Sequence, residues 1–157
     1  DFSLSTNRFL FIQHMKKTLL LIFSGMLLAS CGEASKPSKE KIHYDESIDE
    51  ILAVHDEVMP KMGELSSLIE KTEAKIDTTD AGKKFKLVNE ELKGAHDFMM
   101  TWMRDFGEKF PNALKDTTYT SEEYEKREPL LEEEKEEVRE MKDRVTESMK
   151  NAKDLLK

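Results

Sequence analysis

The chain has 157 residues, enough for one domain, with only 6 glycines and 4 prolines. Charged residues make up 37 % of it, above the usual ~25 %, a composition typical of helical bundles and coiled coils. The net charge of −8 argues against nucleic acid as a partner, because that binding depends on Lys and Arg neutralising phosphates. The single cysteine excludes an internal disulfide and a cysteine-based metal cage.

The first thirty residues predict a targeting segment rather than part of the fold. Residues 1–14 precede Met15 and begin with aspartate, and we interpret them as an upstream extension from a mis-assigned start. Lys16 and Lys17 follow Met15 and lead into an apolar run over residues 18–28. About a dozen apolar residues after a basic start are typical of a secretory signal, whereas a spanning helix needs roughly 20. Residues 15–30 are therefore predicted to be a signal peptide.

The signal ends in Leu28-Ala29-Ser30-Cys31, followed by Gly32. This pattern resembles the lipobox of bacterial lipoproteins, which implies lipid transfer to the sulfur of Cys31 and cleavage before it. Two or more acyl chains on one residue give stable membrane attachment. Loss of residues 1–30 removes three basic residues and one acidic residue, which leaves 22 against 32 and a net charge of −10. We expect a lipid-anchored protein of the cell envelope.

Residues 31–44 are predicted to be a flexible tether, and residues 45–157 a helical domain. The first helix is expected over about 46–75, because its apolar residues recur at alternating intervals of three and four. Pro60 should kink this helix at Asp56, since proline clashes with the carbonyl four residues earlier. The residues of this stripe are Ile48, Ile51, His55, Val58, Met62, Leu65 and Ile69.

Two further helices are predicted along the rest of the chain. Turn and capping residues at 77–80 precede a second stripe from Ala81 to Phe106. Thr120 and Glu123 form a capping box that begins the third helix. The third helix carries Tyr124, Leu131, Val138, Val145 and Ala152 at seven-residue intervals, and Pro129 should kink it at Glu125. We interpret the acidic stretch 132–137 as a solvated face. These patterns predict an all-α protein, an antiparallel three-helix bundle with coiled-coil-like packing.

Methionine and histidine residues occur together in two short windows of the sequence, and this pattern leads to the hypothesis of a ligand site. If the first two helices fold back about residue 78, residue i lies level with about residue 156 − i. This places six residues in neighbouring layers: His55, Met59, His96, Met99, Met100 and Met103. The candidate ligands among them are His55, Met59, His96, Met99 and Met103. Core packing is the favoured interpretation, since methionine commonly fills gaps beside aromatic rings. The alternatives are a Cu(I) or haem site with imidazole and thioether ligands and an exposed Met-rich groove for an apolar partner.

The windows 55–62 and 95–103, after a lipobox, resemble a group of small bacterial lipoproteins often labelled viral A-type inclusion protein. The resemblance covers most of the mature chain. It implies a helical domain and an envelope address, and it implies no activity, cofactor or catalytic residue.

The sequence contains no Gly-rich phosphate loop, Ser-His-Asp pattern or His-Glu-x-x-His motif. We therefore expect a protein that is not an enzyme, with a helical domain that binds an unknown protein partner or has a structural role. A periplasmic copper(I)-binding or haem-binding protein is the alternative. The heptads of the third helix leave assembly into an oligomeric coiled coil open as a third hypothesis.

Overall fold

The computed structural model describes residues 36–157, and all regular secondary structure in that range is helical. The helices are α1 (Lys39–Val58), α2 (Met62–Glu73), α3 (Asp80–Lys109) and α4 (Ser121–Leu155), with a 3₁₀ turn at Met59–Lys61 between α1 and α2. Helices α1 and α2 together form the first of three packed rods. The predicted all-α three-helix bundle is confirmed. Within residues 36–157, none of the helices combines the length and apolar composition needed to cross a bilayer.

Each rod begins at a residue whose side chain caps the free N–H groups of the first turn. The Ser38 hydroxyl accepts the N–H of Lys41, so α1 starts seven residues earlier than predicted and residues 39–44 are helical rather than part of a tether. The Thr79 hydroxyl accepts the N–H of Gly82 at 3.0 Å. The capping box of Thr120 is present as predicted. These local bonds determine where each rod starts.

The two prolines have different effects. Pro60 has no N–H to donate, and the chain passes from α-helix to a 3₁₀ turn at Met59–Lys61 before α2 begins. The kink predicted at Asp56 therefore takes the form of a short 3₁₀ break just after it. Pro129 lies within α4, which continues through it as α-helix. The first rod changes its main neighbour at the break, because α1 packs mainly against α4 and α2 packs mainly against α3.

Contacts between the rods define their directions. The His55 and Trp102 rings stack at 5.5 Å before the break. Two to three turns past the break, the Asn89 amide donates to the Ile69 carbonyl at 2.8 Å and to the Thr72 hydroxyl at 2.9 Å. Residue i of the first rod thus lies level with about residue 157 − i of α3 at His55, one residue from the predicted register, and with about 158 − i to 161 − i further along α2. The first rod and α3 are antiparallel, and α1 and α4 are parallel.

A regular series of side-chain pairs joins the first rod to α4, and we call it the ion ladder. Its rungs on the first rod are seven residues apart: His43, Glu50, Glu57 and Glu64. Their partners on α4 follow in the same direction at 2.5–2.9 Å: Glu128, Arg139, Lys142 and Lys153. Two helical turns separate successive rungs, so all of them lie on one side of the rod. Exposed pairs contribute little stability each, and their common order along both elements shows that the first rod and α4 run in the same direction.

The core lies along the axis where the three rods meet. Every member of the predicted heptad of α4 is buried. The other large side chains of the core include Ile51, Leu65, Leu92, Trp102 and Met141. Residues 37–157 form one compact unit, and all of these core residues belong to it.

Candidate functional site

The five residues predicted as possible metal or haem ligands divide between the core and the surface. Met99 is 1 % exposed and His55 is 8 % exposed, whereas Met59 is 51 % and Met103 is 43 % exposed. His96 is half-buried, with Nδ1 3.5 Å from a carboxylate oxygen of Asp97. The five side chains therefore do not share one enclosed pocket.

His55 is the most constrained of these residues. Its Nδ1 lies 3.1 Å from an Asp56 carboxylate oxygen, which favours the tautomer with the proton on Nδ1. Its Nε2 is buried and has no hydrogen-bond partner within residues 36–157. Trp102 covers the imidazole, with an angle of 26° between the two rings. A haem at this position would have to displace Trp102, so the core as packed does not accommodate one between His55 and Met99.

The exposed methionines present soft sulfur donors on the outside of the bundle. His96, Met100 and Met103 follow one another at intervals of four and three on α3, which places them on one face. Met100 is 60 % exposed. Met59 belongs to the 3₁₀ break, level with about residue 98 of α3 in the observed register. We call His96, Met100 and Met103 the methionine face, and Met59 lies on the neighbouring rod at about the same level. Within residues 36–157, no cluster of three or more His, Cys, Asp or Glu side chains is arranged to hold a metal ion.

A chain of stacked aromatic rings continues from His55 towards the start of the bundle. Trp102 stacks on Phe106 at 5.3 Å, and Phe106 contacts Phe110 at 5.4 Å. Phe110 meets Tyr44, which also contacts Tyr119 and Tyr124 at 5.6 and 5.7 Å. Burial raises the pKa of Tyr44 to about 12. This chain explains why residues 39–44 are ordered as helix, since Tyr44 belongs to the core.

One carboxylate of the acidic stretch is buried, contrary to the predicted solvated face. Glu134 is 0 % exposed. Its Oε2 accepts a hydrogen bond from Nζ of Lys109 at 2.9 Å, and Lys109 also reaches Glu137 at 3.2 Å. Oε1 of Glu134 has no partner within residues 36–157. Burial raises the pKa of Glu134, although the ammonium of Lys109 opposes that shift.

The sequence contained a signal for this buried pair. Leu131, Glu134, Val138, Met141 and Val145 are separated by three, four, three and four residues, so Glu134 occupies a core position of the stripe. Its neighbours in the acidic stretch concealed that position. Burial of a charge is tolerated only when a partner is present, and Lys109 at the end of α3 is that partner.

The predicted lipidation residue, Cys31, and the predicted signal peptide lie outside the described residues. A scan against family models, a search of curated proteins and a search of solved structures find no match for this chain.

Proposed function

We propose that this chain is a lipid-anchored protein of the bacterial cell envelope, attached through Cys31, whose helical bundle binds a partner rather than catalysing a reaction. The observation that carries the proposal is the order of basic start, short apolar run and lipobox over residues 15–31. Seven residues, 32–38, join Cys31 to the first helical residue, Lys39. A compact helical unit follows closely after the predicted anchor.

The anchoring part of the proposal is tested by replacing the sulfur that would carry the lipid. We expect wild-type protein expressed in a bacterial host to incorporate labelled palmitate and to sediment with membranes. Cys31→Ser should abolish the labelling and release the protein from the membranes. Ser38→Ala is the control, because it changes a nearby helix cap and leaves the lipobox intact. A wild-type protein that incorporates no label would refute the anchor.

A second candidate function, Cu(I) binding, is favoured by the methionine face. Thioether and imidazole donors suit Cu(I), and exposure of Met59, Met100 and Met103 makes their sulfur atoms accessible without unfolding. The same geometry favours copper over haem, because the predicted haem ligands His55 and Met99 are separated from solvent by packing.

Copper binding is tested by competition with a chromogenic Cu(I) chelator, using residues 37–157. If this function is correct, the protein removes one Cu(I) at micromolar or better affinity, and the double variant His96→Ala, Met103→Leu loses that affinity. His43→Ala provides the matched control, because His43 is another exposed histidine on a different rod. A wild-type protein that does not compete for Cu(I), or a double variant that competes equally well, would eliminate the methionine face as a copper site.

A further inference from the structure

A groove between α2 and α4 carries positive charge on a protein that is otherwise acidic. Its two adjoining hollows, of about 730 and 480 Å³, share Glu64, Lys153 and Lys157. We call it the lysine groove, after the lysines on its sides: Lys61, Lys71, Lys75, Lys150, Lys153 and Lys157. Glu64 and Asp154 are the acidic residues that line it. Six positive charges against two leave a local charge of +4, whereas the whole chain carries −8.

The groove exists because of the break at Pro60. Beyond that point the first rod turns its packing from α4 to α3, and α2 has fewer contacts with α4 than α1 has. The seam between α2 and α4 is therefore left partly open. Leu68 and Met149 line it but are buried in the core, whereas Leu156 is half-buried and Ala74 is exposed, so these two supply its accessible apolar surface. An amphipathic partner would meet an apolar base between two charged edges.

The ion ladder ends in the groove, where the next position of the first rod carries a lysine in place of an acidic residue. Its fourth rung is Glu64 with Lys153 at 2.9 Å. The next position on the first rod, seven residues on, is Lys71, and Lys157 follows two residues after the end of α4. Both line the groove. Lys157 pairs with Asp154, whereas Lys71 forms no ion pair with a side chain of residues 36–157, so its charge remains available to an anionic group in the groove.

Several of these lysines are not neutralised within the described part of the chain. Lys157 pairs with Asp154 at 2.6 Å and Lys153 pairs with Glu64. No ion pair is formed by Lys61, Lys71 or Lys150 with any side chain of residues 36–157. Their ammonium groups are available to carboxylates from outside the bundle.

From these observations we propose that the lysine groove is the docking site for an acidic amphipathic helix of a partner protein. The proposal rests on the binding function proposed above and names the chemistry of the partner. A helix lying along the seam from Lys61 to Lys75 would contact the groove over 14 residues, about 21 Å. Its apolar face would cover Leu156 and Ala74, and its carboxylates would meet the lysines on both sides.

The shallowness of the groove favours a helix over a lipid. An acyl chain must be enclosed on most sides to leave water, whereas the floor here is closed at the level of Leu68. A helix needs only to lay one apolar face on such a surface, and the vacant seam is the position that a fourth helix would occupy in a four-helix bundle.

The test measures binding of a fluorescein-labelled synthetic helix of 18 residues, with leucines on one face and glutamates elsewhere, to residues 37–157. We expect micromolar binding that weakens as salt is raised. The double variant Lys71→Glu, Lys150→Glu should bind at least tenfold more weakly. Lys39→Glu, Lys84→Glu is the matched control, because it changes the net charge equally at exposed lysines outside the groove and should bind like wild type.

Four results would overturn the proposal. They are no binding at 100 µM peptide, equal binding by the groove variant, equal binding of a shuffled peptide of the same composition, and preferential binding to vesicles of 30 % phosphatidylglycerol in phosphatidylcholine. The last result would identify the groove as a lipid site. The assay does not involve Cys31, so its failure is distinguishable from failure of the anchor, which the palmitate experiment reports.

Discussion

Removal of Lys109 is the most direct test of how the bundle tolerates a charge in its core. Lys109→Met preserves the length and apolar part of the side chain and removes the ammonium that hydrogen-bonds to the buried Glu134. Both carboxylate oxygens of Glu134 would then lack a partner within residues 36–157, since Oε1 has none in the wild type. An unpartnered buried charge is strongly destabilising.

The decrease in the free energy of unfolding has an upper limit, because Glu134 can bind a proton instead of remaining charged. Protonating a carboxyl with an ordinary pKa of 4.5 at pH 7 costs about 3.4 kcal/mol, at about 1.4 kcal/mol per pH unit. Burial already raises the pKa in the wild type, so part of this cost is present before the substitution. We expect Lys109→Met to lower the free energy of unfolding by about 2–3 kcal/mol at pH 7.

The sign of the pH dependence follows from the same pKa. The substitution raises the pKa of Glu134 in the folded state further above 4.5, so the folded variant binds a proton that the unfolded chain releases. The stability deficit should therefore shrink as the pH falls from 7 towards 4.5, with a ceiling of about 1.4 kcal/mol at pH 5.5.

Urea unfolding followed by far-UV circular dichroism at pH 7 and pH 5.5 measures both effects. Lys126→Met is the control, because it removes an exposed ion pair with Glu122 and should cost under about 0.5 kcal/mol. Adding Glu134→Gln to Lys109→Met should restore much of the lost stability at pH 7. The reasoning would be refuted by a deficit as small as that of Lys126→Met, or by one that does not change with pH.

Three further predictions concern local features of the fold, each measured as a change in urea unfolding. Thr120→Ala should lower the free energy of unfolding by about 1 kcal/mol, because it removes the capping box. Thr118→Ala, two residues earlier and exposed, should change it very little. Equal decreases for the two variants would show that the cap is unimportant. Asn89→Ala should lower the free energy of unfolding by about 1–3 kcal/mol, because the buried Thr72 hydroxyl oxygen loses its donor. The Ile69 carbonyl keeps the Thr72 hydroxyl as a donor. A neutral result would show that the Asn89 amide is unimportant for stability. Gly82→Ala should destabilise, because a Cβ there would overlap the turn before α3, whereas Gly94→Ala, with nothing within 4 Å, should stabilise by about 0.5–1 kcal/mol. The opposite order would contradict the packing around these glycines.

Features that depend on neighbouring residues could be predicted from the sequence. The Thr120 capping box and the buried heptad of α4 both involve residues within two turns of one another, and both are present. The antiparallel register of the first two rods was also predictable, because a short connection leaves little freedom in how two helices align.

Features that depend on residues far apart in the chain are predicted only in part from the sequence, or not at all. The sequence predicts the start of α1 too late, because Tyr44 packs against Phe110, Tyr119 and Tyr124, which are more than sixty residues away along the chain. The helix register predicts that the methionine and histidine windows lie at the same height along the bundle. It does not predict whether each side chain faces the core or the solvent. Which of them face the core depends on how each rod is rotated, and so Met99 is buried while Met103 is not.

The directions of the three rods determine how far the beginning of α1 lies from the end of α4. With an odd number of rods, the beginning of α1 and the end of α4 lie at opposite ends of the bundle. Helix α4 has 35 residues, a length of about 52 Å. If Cys31 holds the chain at a membrane, the bundle then acts as a spacer, and the lysine groove near the end of α4 is presented away from the anchored end.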